Sequence, residues 1–517
     1  MKRRSFLKNS SLISLPILLG GMPVSAIDKS SLFQLINGDS DRVLVLIQLN
    51  GGNDGLNTMI PMDQYDSLQA VRQNIIVPEN QLLDIGSDNA FHPSWSEMKE
   101  LYTEDRLAVV QSVGYPNQNR SHFRSTDIWH TASASDEYLS TGWLGRYLDL
   151  TVTDYPAAYP TDDCPDPFAM TLGAVVSETC QGQGANYSFV VNNPEQLTEL
   201  IEFEGGPDVS GCYGMELTFV RETVRQANAY ADSVKNRYDV GTNFGDYPDT
   251  RLASQLQTVA RLIAGGSQTK IYVVSIGGFD THAYQVETPN APGNTRFHSE
   301  LLADVSGAIK AFQNDIDAQG NGERVLGMTF SEFGRRIRSN FSAGTDHGDA
   351  APLFVFGNCV NPGILGTNPE ISTDVSGEEG VPMQYDFRSV YGSILMDWFE
   401  MEESDVRGLL FEDFQHIPIL RLCATTDTEE PTVDDIYVSL FPNPTVDRAL
   451  LDFHSTGAMV HISVLSTIGQ VVEVVVSKTL GAGSHTVPLD FSGYAPGAYF
   501  VRIAEGSAVV TKRIVKQ

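Results

Sequence analysis

The chain has 517 residues, with 34 basic and 65 acidic side chains and a formal net charge of −31. That length exceeds one ordinary domain and allows a large core plus a smaller module. The ordinary apolar content excludes a disordered chain, and the acidity argues against nucleic acid and anionic lipid as partners while favouring solubility.

The first 26 residues, "MKRRSFLKNSSLISLPILLGGMPVSA", read as an export leader rather than as fold. A basic start is followed by an apolar run too short to span a bilayer, and Val24-Ser25-Ala26 offers a small-residue cleavage site. The stretch "RRSFLK" is similar to a twin-arginine signal, although Lys stands before the arginine pair and a general secretory signal fits as well. No other segment reads as a transmembrane helix.

From 40 to 425, short continuous apolar runs alternate with helical patterns. The runs are "RVLVLIQL" (42–49), "RLAVVQSV" (106–113), "KIYVVSI" (270–276), "RVLGMTF" (324–330) and "PLFVFG" (352–357). Continuous hydrophobicity predicts strands buried on both faces, as in a mainly parallel sheet. Helices are predicted over 250–263, with Asp249 as N-cap, over 297–312 and over 387–399. The order is βαβ-like, so the fold class is α/β with helices on both faces of the sheet. The stretch 150–215, rich in Gly, Asp and Pro, reads as an insertion or cap over the sheet edge. It holds Cys164, Cys180 and Cys212, among which export would permit a disulfide; no CxxC spacing suggests a zinc–thiolate site.

An acidic, Thr-rich linker is expected at 426–435. From 436 to 517 apolar residues alternate with polar ones between turn signals, which predicts a small antiparallel β-sandwich. Acids and bases nearly balance there, so the net acidity belongs to the larger module.

In open α/β sheets, ligands bind beyond the carboxyl ends of the strands. Asp54 follows the first run, and Ser121, His122 and Arg124 follow the second at a helix start. Asp280 and His282 follow the third, and Glu332, Arg335 and Arg336 the fourth. Asp346 and His347 precede the fifth. Taken singly, each group has a plainer reading: a tight turn at Asp54, a cap at Asp280–His282, an N-cap at Ser121, and for His92 a structural place before a helix. Together, carboxylates and imidazoles without thiolate suit a divalent metal, Zn²⁺, Ca²⁺, Mg²⁺ or Mn²⁺. A serine at a helix start near such an ion could attack phosphorus or sulfur, with an arginine holding the anion's oxygens.

Two family resemblances add to this reading. "LFPNPTVDRALLDF", "ISVLSTIGQVV", "LDFSGYAPGAYFVRI" and "VVTKRIVKQ" resemble the type A C-terminal sorting domain of the Bacteroidetes type IX secretion system. That resemblance implies the export machinery and the outer-membrane secretion system as partners. It also implies passage through the periplasm to the cell surface or the extracellular space. A ligand-binding β-sandwich is the rival reading of this tail.

Across 40–400, "VLIQLNGGNDGLNTMIP", "VVQSVGYPNQNRSHFRSTDIWHTA", "GWLGRYL", "GGFDTH", "TFSEFGRRI", "GTDHGDAAPLFVFG" and "DFRSVYGSIL" resemble the domain-of-unknown-function family 1501. That family is placed with the alkaline phosphatase and sulfatase superfamily. The resemblance implies Asp54, Asp280, His282, Asp346 and His347 as metal ligands and Ser121 as nucleophile. Arg124 would hold the anion, and Glu332 would be a further ligand or base. The implied substrate is an anionic ester, of phosphate or sulfate; a glycan is the ligand if the scaffold only binds. Three departures stand out. The step in "DTH" is short, no obvious final His ligand follows His347 because His416 lies in an unrelated context, and no sulfatase Cys/Ser-x-Pro-x-Arg signature lies near Ser121. They favour the alternative of a catalytically degenerate cell-surface binding protein.

Overall fold

A computed structural model describes residues 41–421, apart from 153, 198–211, 289–290 and 294, and residues 438–516, apart from 443–444, 456, 467–470 and 506–507. Of the expected leader only the two-residue strands Leu18–Leu19 and Met22–Pro23 are described, and the expected linker lies outside the described residues. The chain divides into two compact units, Met1–Thr425 and Thr426–Gln517. Among the described residues no helix is long and apolar enough to cross a membrane.

The larger unit is built on one nine-stranded sheet. Its strands are β1 Val43–Asn50, β2 Leu107–Gly114, β3 Ala169–Leu172, β4 Ser188–Val191, β5 Ile271–Gly277, β6 Val325–Phe330, β7 Ala351–Phe356, β8 Gly363–Leu365 and β9 Tyr385–Asp386. The spatial order is β8-β2-β7-β6-β1-β5-β3-β4, with β9 also on β2. The central pairs β6–β1 and β1–β5 are parallel. Only β7 runs against its neighbours, antiparallel to both β6 and β2.

The central strands are apolar throughout because both faces are covered. Leu44 and Leu46 of β1 join one core with Ile128 and Trp129 of α2 (His122–Thr131), Trp143 and Leu144 of α3 (Trp143–Thr151), and Val390 and Ile394 of α6 (Phe387–Asp397). Val43, Val45 and Ile47 join the opposite core with Met98 of α1 (Ser96–Thr103), Leu256 of α4 (Arg251–Ala264) and Val305 of α5 (His298–Ala318). The expected α/β architecture with helices on both faces is thus present.

Three local expectations are corrected. The run at 352–357 was expected among the parallel strands; β7 is antiparallel, which hydrophobicity cannot reveal because both senses bury the same side chains. The 150–215 stretch does more than cap an edge: it supplies β3 and β4, which extend the sheet beyond β5 in parallel register. Four-residue strands in polar surroundings leave little periodicity to detect. The N-cap of α4 is Thr250, whose hydroxyl accepts the Ala253 N–H, rather than Asp249. Of the cysteines, Cys180 is a buried thiol and Cys359 is disulfide-bonded; the side chain of Cys212 lies outside the described residues.

The smaller unit is all antiparallel. Strands Val438–Phe441, Arg448–Ser455 and Gly483–Asp490 form one sheet. Met459–Leu465, Val471–Thr479, Gly497–Glu505 and Ala508–Lys516 form the other. Residues of both, among them Leu451, Phe453, Ile462, Val501 and Ile514, share one core, as a β-sandwich requires.

Candidate metal centre

The antiparallel sense of β7 positions the site. Its N-terminal end lies at the carboxyl ends of β1, β2, β5 and β6. The loop carrying Asp346 and His347 therefore meets the loops carrying Asp280, His282, Glu332 and His122. Backbone hydrogen bonds hold it there: Gly348 N–H donates to Gly334 C=O at 2.8 Å and Arg336 N–H to Asp346 C=O at 3.0 Å.

Close packing of these loops depends on missing side chains. Gly51 has φ +121°, and a Cβ there would sit 2.2 Å from the backbone N of Asp280. A Cβ on Gly344 would sit 2.4 Å from the carbonyl carbon of His282. Only glycine meets both demands at position 51.

The Arg335 guanidinium joins the loops from beneath. Its side chain is 0% exposed. Nε donates to Gly52 C=O at 2.7 Å, Nη1 to Thr345 C=O at 2.8 Å, and Nη2 to Phe279 C=O at 2.9 Å and Asp280 Oδ1 at 2.8 Å. Burial works to raise the Asp280 carboxyl, but the hydrogen bond and charge of Arg335 outweigh it and hold that group at about 2. Asp280 is therefore a carboxylate over the whole ordinary pH range, and with 47% of its side chain exposed it faces solvent.

Three imidazoles surround this carboxylate. His347 Nε2 lies 3.1 Å and His282 Nε2 3.2 Å from Asp280 Oδ1. The two Nε2 atoms are 2.8 Å apart. His122 Nε2 lies 3.4 Å from Asp280 Oδ2. The Phe333 ring packs on both His347 and His122, with centroids 4.5 and 5.0 Å away, which limits ring rotation.

The opposite ring nitrogens fix the tautomers. His347 Nδ1 is 2.7 Å from the carbonyl oxygen of Arg120, which can only accept, so Nδ1 carries the proton. His282 Nδ1 donates to Asp346 Oδ1 at 2.8 Å, and His122 Nδ1 to Glu332 Oε1 at 2.8 Å. In its neutral form each ring then presents an Nε2 lone pair toward Asp280. Nδ1–H on an oxygen acceptor with Nε2 turned to a common point is how metal-ligating histidines are held. His122, Asp280 and His347 offer ligand atoms within 4.8 Å of one another, a group that could hold a metal ion.

The residues expected at the site do not all meet there. Asp280, His282, Asp346 and His347 are brought together. Asp346 faces Nδ1 of His282 and also accepts from Asn340 Nδ2 at 3.1 Å. Glu332 accepts from His122 and from the Gly51 N–H at 2.8 Å. Asp54 is not brought to the cluster. It is 1% exposed, and both its oxygens accept from Arg72 Nη1, at 2.9 and 2.7 Å, while Gln285 adds a bond of 2.6 Å.

Arg124 is turned away. It pairs with Asp127, donates to the carbonyls of Ala134, Ser135 and Glu137, and stacks on Tyr138 at 3.9 Å. Ser121 is the exposed N-cap residue of α2, with no hydrogen bond from its side chain to the helix. His92 is the structural residue expected of it, accepting the Ser94 N–H ahead of a helix. His416 pairs with Asp397 of α6, apart from this cluster. The residue that sequence reasoning left without a role is His122, whose only signal was its place beside Ser121.

The family model described as "Protein of unknown function (DUF1501)" matches residues 110–385, just over half of the chain. The chain belongs to that family. Residues 439–517 match the secretion system C-terminal sorting domain. This tail sends the chain through the type IX system to the cell surface or the extracellular space. No curated protein matches the chain in sequence.

Among solved structures, a sulfatase from Pseudoalteromonas sp. is 9% identical at a TM-score of 0.30, covering 90% of this chain and 86% of that one. A phosphonate monoester hydrolase from Silicibacter pomeroyi is 11% identical at 0.30, covering 91% and 88%. A protein in the alkaline phosphatase superfamily from Vibrio parahaemolyticus is 9% identical at 0.30, covering 90% and 82%. Scores this low decide nothing about the site, whose chemistry rests on its own residues.

Proposed function

We propose that the chain is an exported, metal-dependent hydrolase of phosphate or sulfate esters. The observation that carries this reading is the convergence of Asp280, His282 and His347 on one point, with the Nδ1 hydrogens of both rings committed elsewhere. Asp280, His282 and His347 would hold a divalent ion, which would supply Lewis-acid stabilisation of charge on the ester's oxygens. Ser121 is the candidate nucleophile: its hydroxyl oxygen attacks phosphorus or sulfur and gives up its proton to water, the ester oxygen leaves and takes up a proton as the alcohol, and a water then attacks the same atom, breaking its bond to the serine oxygen, which regains a proton. Glu332 and Asp346 hold His122 and His282 in their tautomers. The helix start at Ser121 offers backbone N–H groups to the anion.

One observation favours a second reading, a surface protein that binds an anion or glycan without turnover. The arginines around the cluster are already paired: Arg120 with Asp349, Arg124 with Asp127, Arg335 with Asp280 and Arg336 with Glu378. None is left to follow a developing anion.

Hydrolysis of an aryl phosphate and an aryl sulfate by the zinc- or manganese-supplemented protein, and by Ser121→Ala, separates the two. Turnover that disappears in Ser121→Ala supports the hydrolase. Metal binding with no turnover of either ester supports the binding protein.

A further inference from the structure

We infer that His122 is itself a ligand, so that one ion is held by the Nε2 atoms of His122, His282 and His347 and by Asp280, a donor set that selects a zinc-type ion over calcium or magnesium. This rests on the reading that the cluster binds a divalent cation, and it goes further by naming the ligands and the class of ion. Glu332 and Asp346 are then positioning residues that touch the imidazoles rather than the ion.

Three observations carry it. The first is the state of His122 Nε2. This atom is shielded from water and has no hydrogen-bond partner, although Nδ1 of the same ring is bonded to Glu332 at 2.8 Å. A buried, unpartnered lone pair is costly unless something polar meets it. What it faces is Asp280 Oδ2 at 3.4 Å, which is an acceptor as well. Two acceptors facing each other call for a cation between them or a proton on the ring, and titration with metal separates the two.

The second is spacing. A tetrahedral zinc site with bonds of about 2.0 Å has ligand atoms about 3.3 Å apart. His347 and His282 Nε2 lie 3.1 and 3.2 Å from Asp280 Oδ1, and His122 Nε2 lies 3.4 Å from the other oxygen, Oδ2. The His282–His347 separation of 2.8 Å is the shortest edge.

The third is chemistry. Three imidazoles and one carboxylate suit zinc, cobalt or a similar ion, whereas calcium and magnesium take oxygen ligands. The remaining carboxylates, Glu332 and Asp346, are held behind the rings by Gly51 N–H and by Asn340 and Arg336. His122 also supplies a further imidazole from the first turn of α2, where His416 of the same unit is paired with Asp397 instead.

The test uses the full chain, freed of metal and titrated with Zn²⁺, Co²⁺, Ca²⁺ and Mg²⁺. The expected result is binding of Zn²⁺ and Co²⁺ far tighter than of Ca²⁺ or Mg²⁺, with the intense visible bands of four-coordinate Co²⁺. His122→Ala and His122→Gln should weaken those bands and lower Zn²⁺ affinity by more than tenfold, while thermal unfolding of the metal-free forms stays close to wild type. Glu332→Gln should lower affinity by on the order of 10–100-fold and keep the band shape, as the loss of an outer partner does. His416→Ala is the control and should change nothing.

Unchanged Co²⁺ bands and Zn²⁺ affinity in both His122 variants would overturn the assignment and leave His122 as an ion-pair partner of Asp280. A wild type that prefers Ca²⁺ or Mg²⁺ would overturn the donor set. A wild type that binds none of the four would overturn the underlying metal reading.

Discussion

His282 and His347 face each other with their Nε2 atoms 2.8 Å apart, and both rings have the Nδ1 hydrogen committed to an oxygen on the far side. Two lone pairs at that distance repel. The arrangement is stable only with a cation between them or with a proton on one ring, and Asp280 beside both favours either. The fold puts rigid supports behind each ring. The site is therefore preorganised for a charge it does not itself supply.

Arg335→Lys tests the support beneath the loops. A planar guanidinium meets the carbonyls of Gly52, Thr345 and Phe279 together with Asp280, whereas a lysine has three donors on a flexible stem. Metal affinity should fall by on the order of 10–100-fold. Because Arg335 lowers the Asp280 carboxyl, its loss should also shift the acid limb of metal binding to higher pH, since ligands must be deprotonated. Titration with Zn²⁺ across the acid range checks both. An unchanged profile would mean that Arg335 has no part in the site.

Asp54→Ala separates structure from ligation. The change leaves the Arg72 guanidinium buried without its anion, though still bonded to the carbonyls of Ile337 and Arg336. Breaking a buried pair in this way costs about 3–5 kcal/mol. Denaturant unfolding should show that loss, while metal content stays at the wild-type level. Metal loss at unchanged stability would instead make Asp54 a ligand.

A pH dependence follows from two buried imidazoles under the site. Burial pushes His298 down to about 3 and His92 to about 4, and the Asp54 charge offsets only part of it. Unfolded imidazoles bind protons near 6.5. Below that pH the unfolded chain holds more protons than the folded one, so stability is full above about 6.5 and falls as pH drops toward the folded values. Each group contributes up to about 1.4 kcal/mol per pH unit in that window. His298→Gln keeps a donor for Asn53, to which His298 Nε2 donates at 2.9 Å, and should flatten the slope. Melting temperatures from pH 7 to 4 for both forms are the measurement; parallel slopes would refute it.

Much of this was legible in the sequence because the central strands are buried on both sides. Continuous apolar runs located β1, β2, β5, β6 and β7 to within a residue or two, and polar residues beyond them located Asp280, His282, Asp346 and His347. The direction of β7 was hidden, since side-chain burial is the same either way, and direction is what carries His347 to the cluster. The pairing of Asp54 with Arg72 was hidden, because an acid on a glycine turn looks alike whether it binds a metal or an arginine. Arg72, its partner, stands eighteen residues on in a segment with no motif. His122 carries no signal beyond its place beside Ser121, because nothing in the order of residues says that Glu332, 210 positions away, orients its ring.

The account stands or falls on whether the cluster holds an ion. The direct measurement is metal content of the purified full chain after equilibration with Zn²⁺ and removal of the excess, beside His347→Ala and Asp280→Ala. About one tightly held ion per wild-type chain is expected, as a single four-ligand site gives, and little in either variant. A wild type that retains none, or variants that retain as much as the wild type, would contradict it.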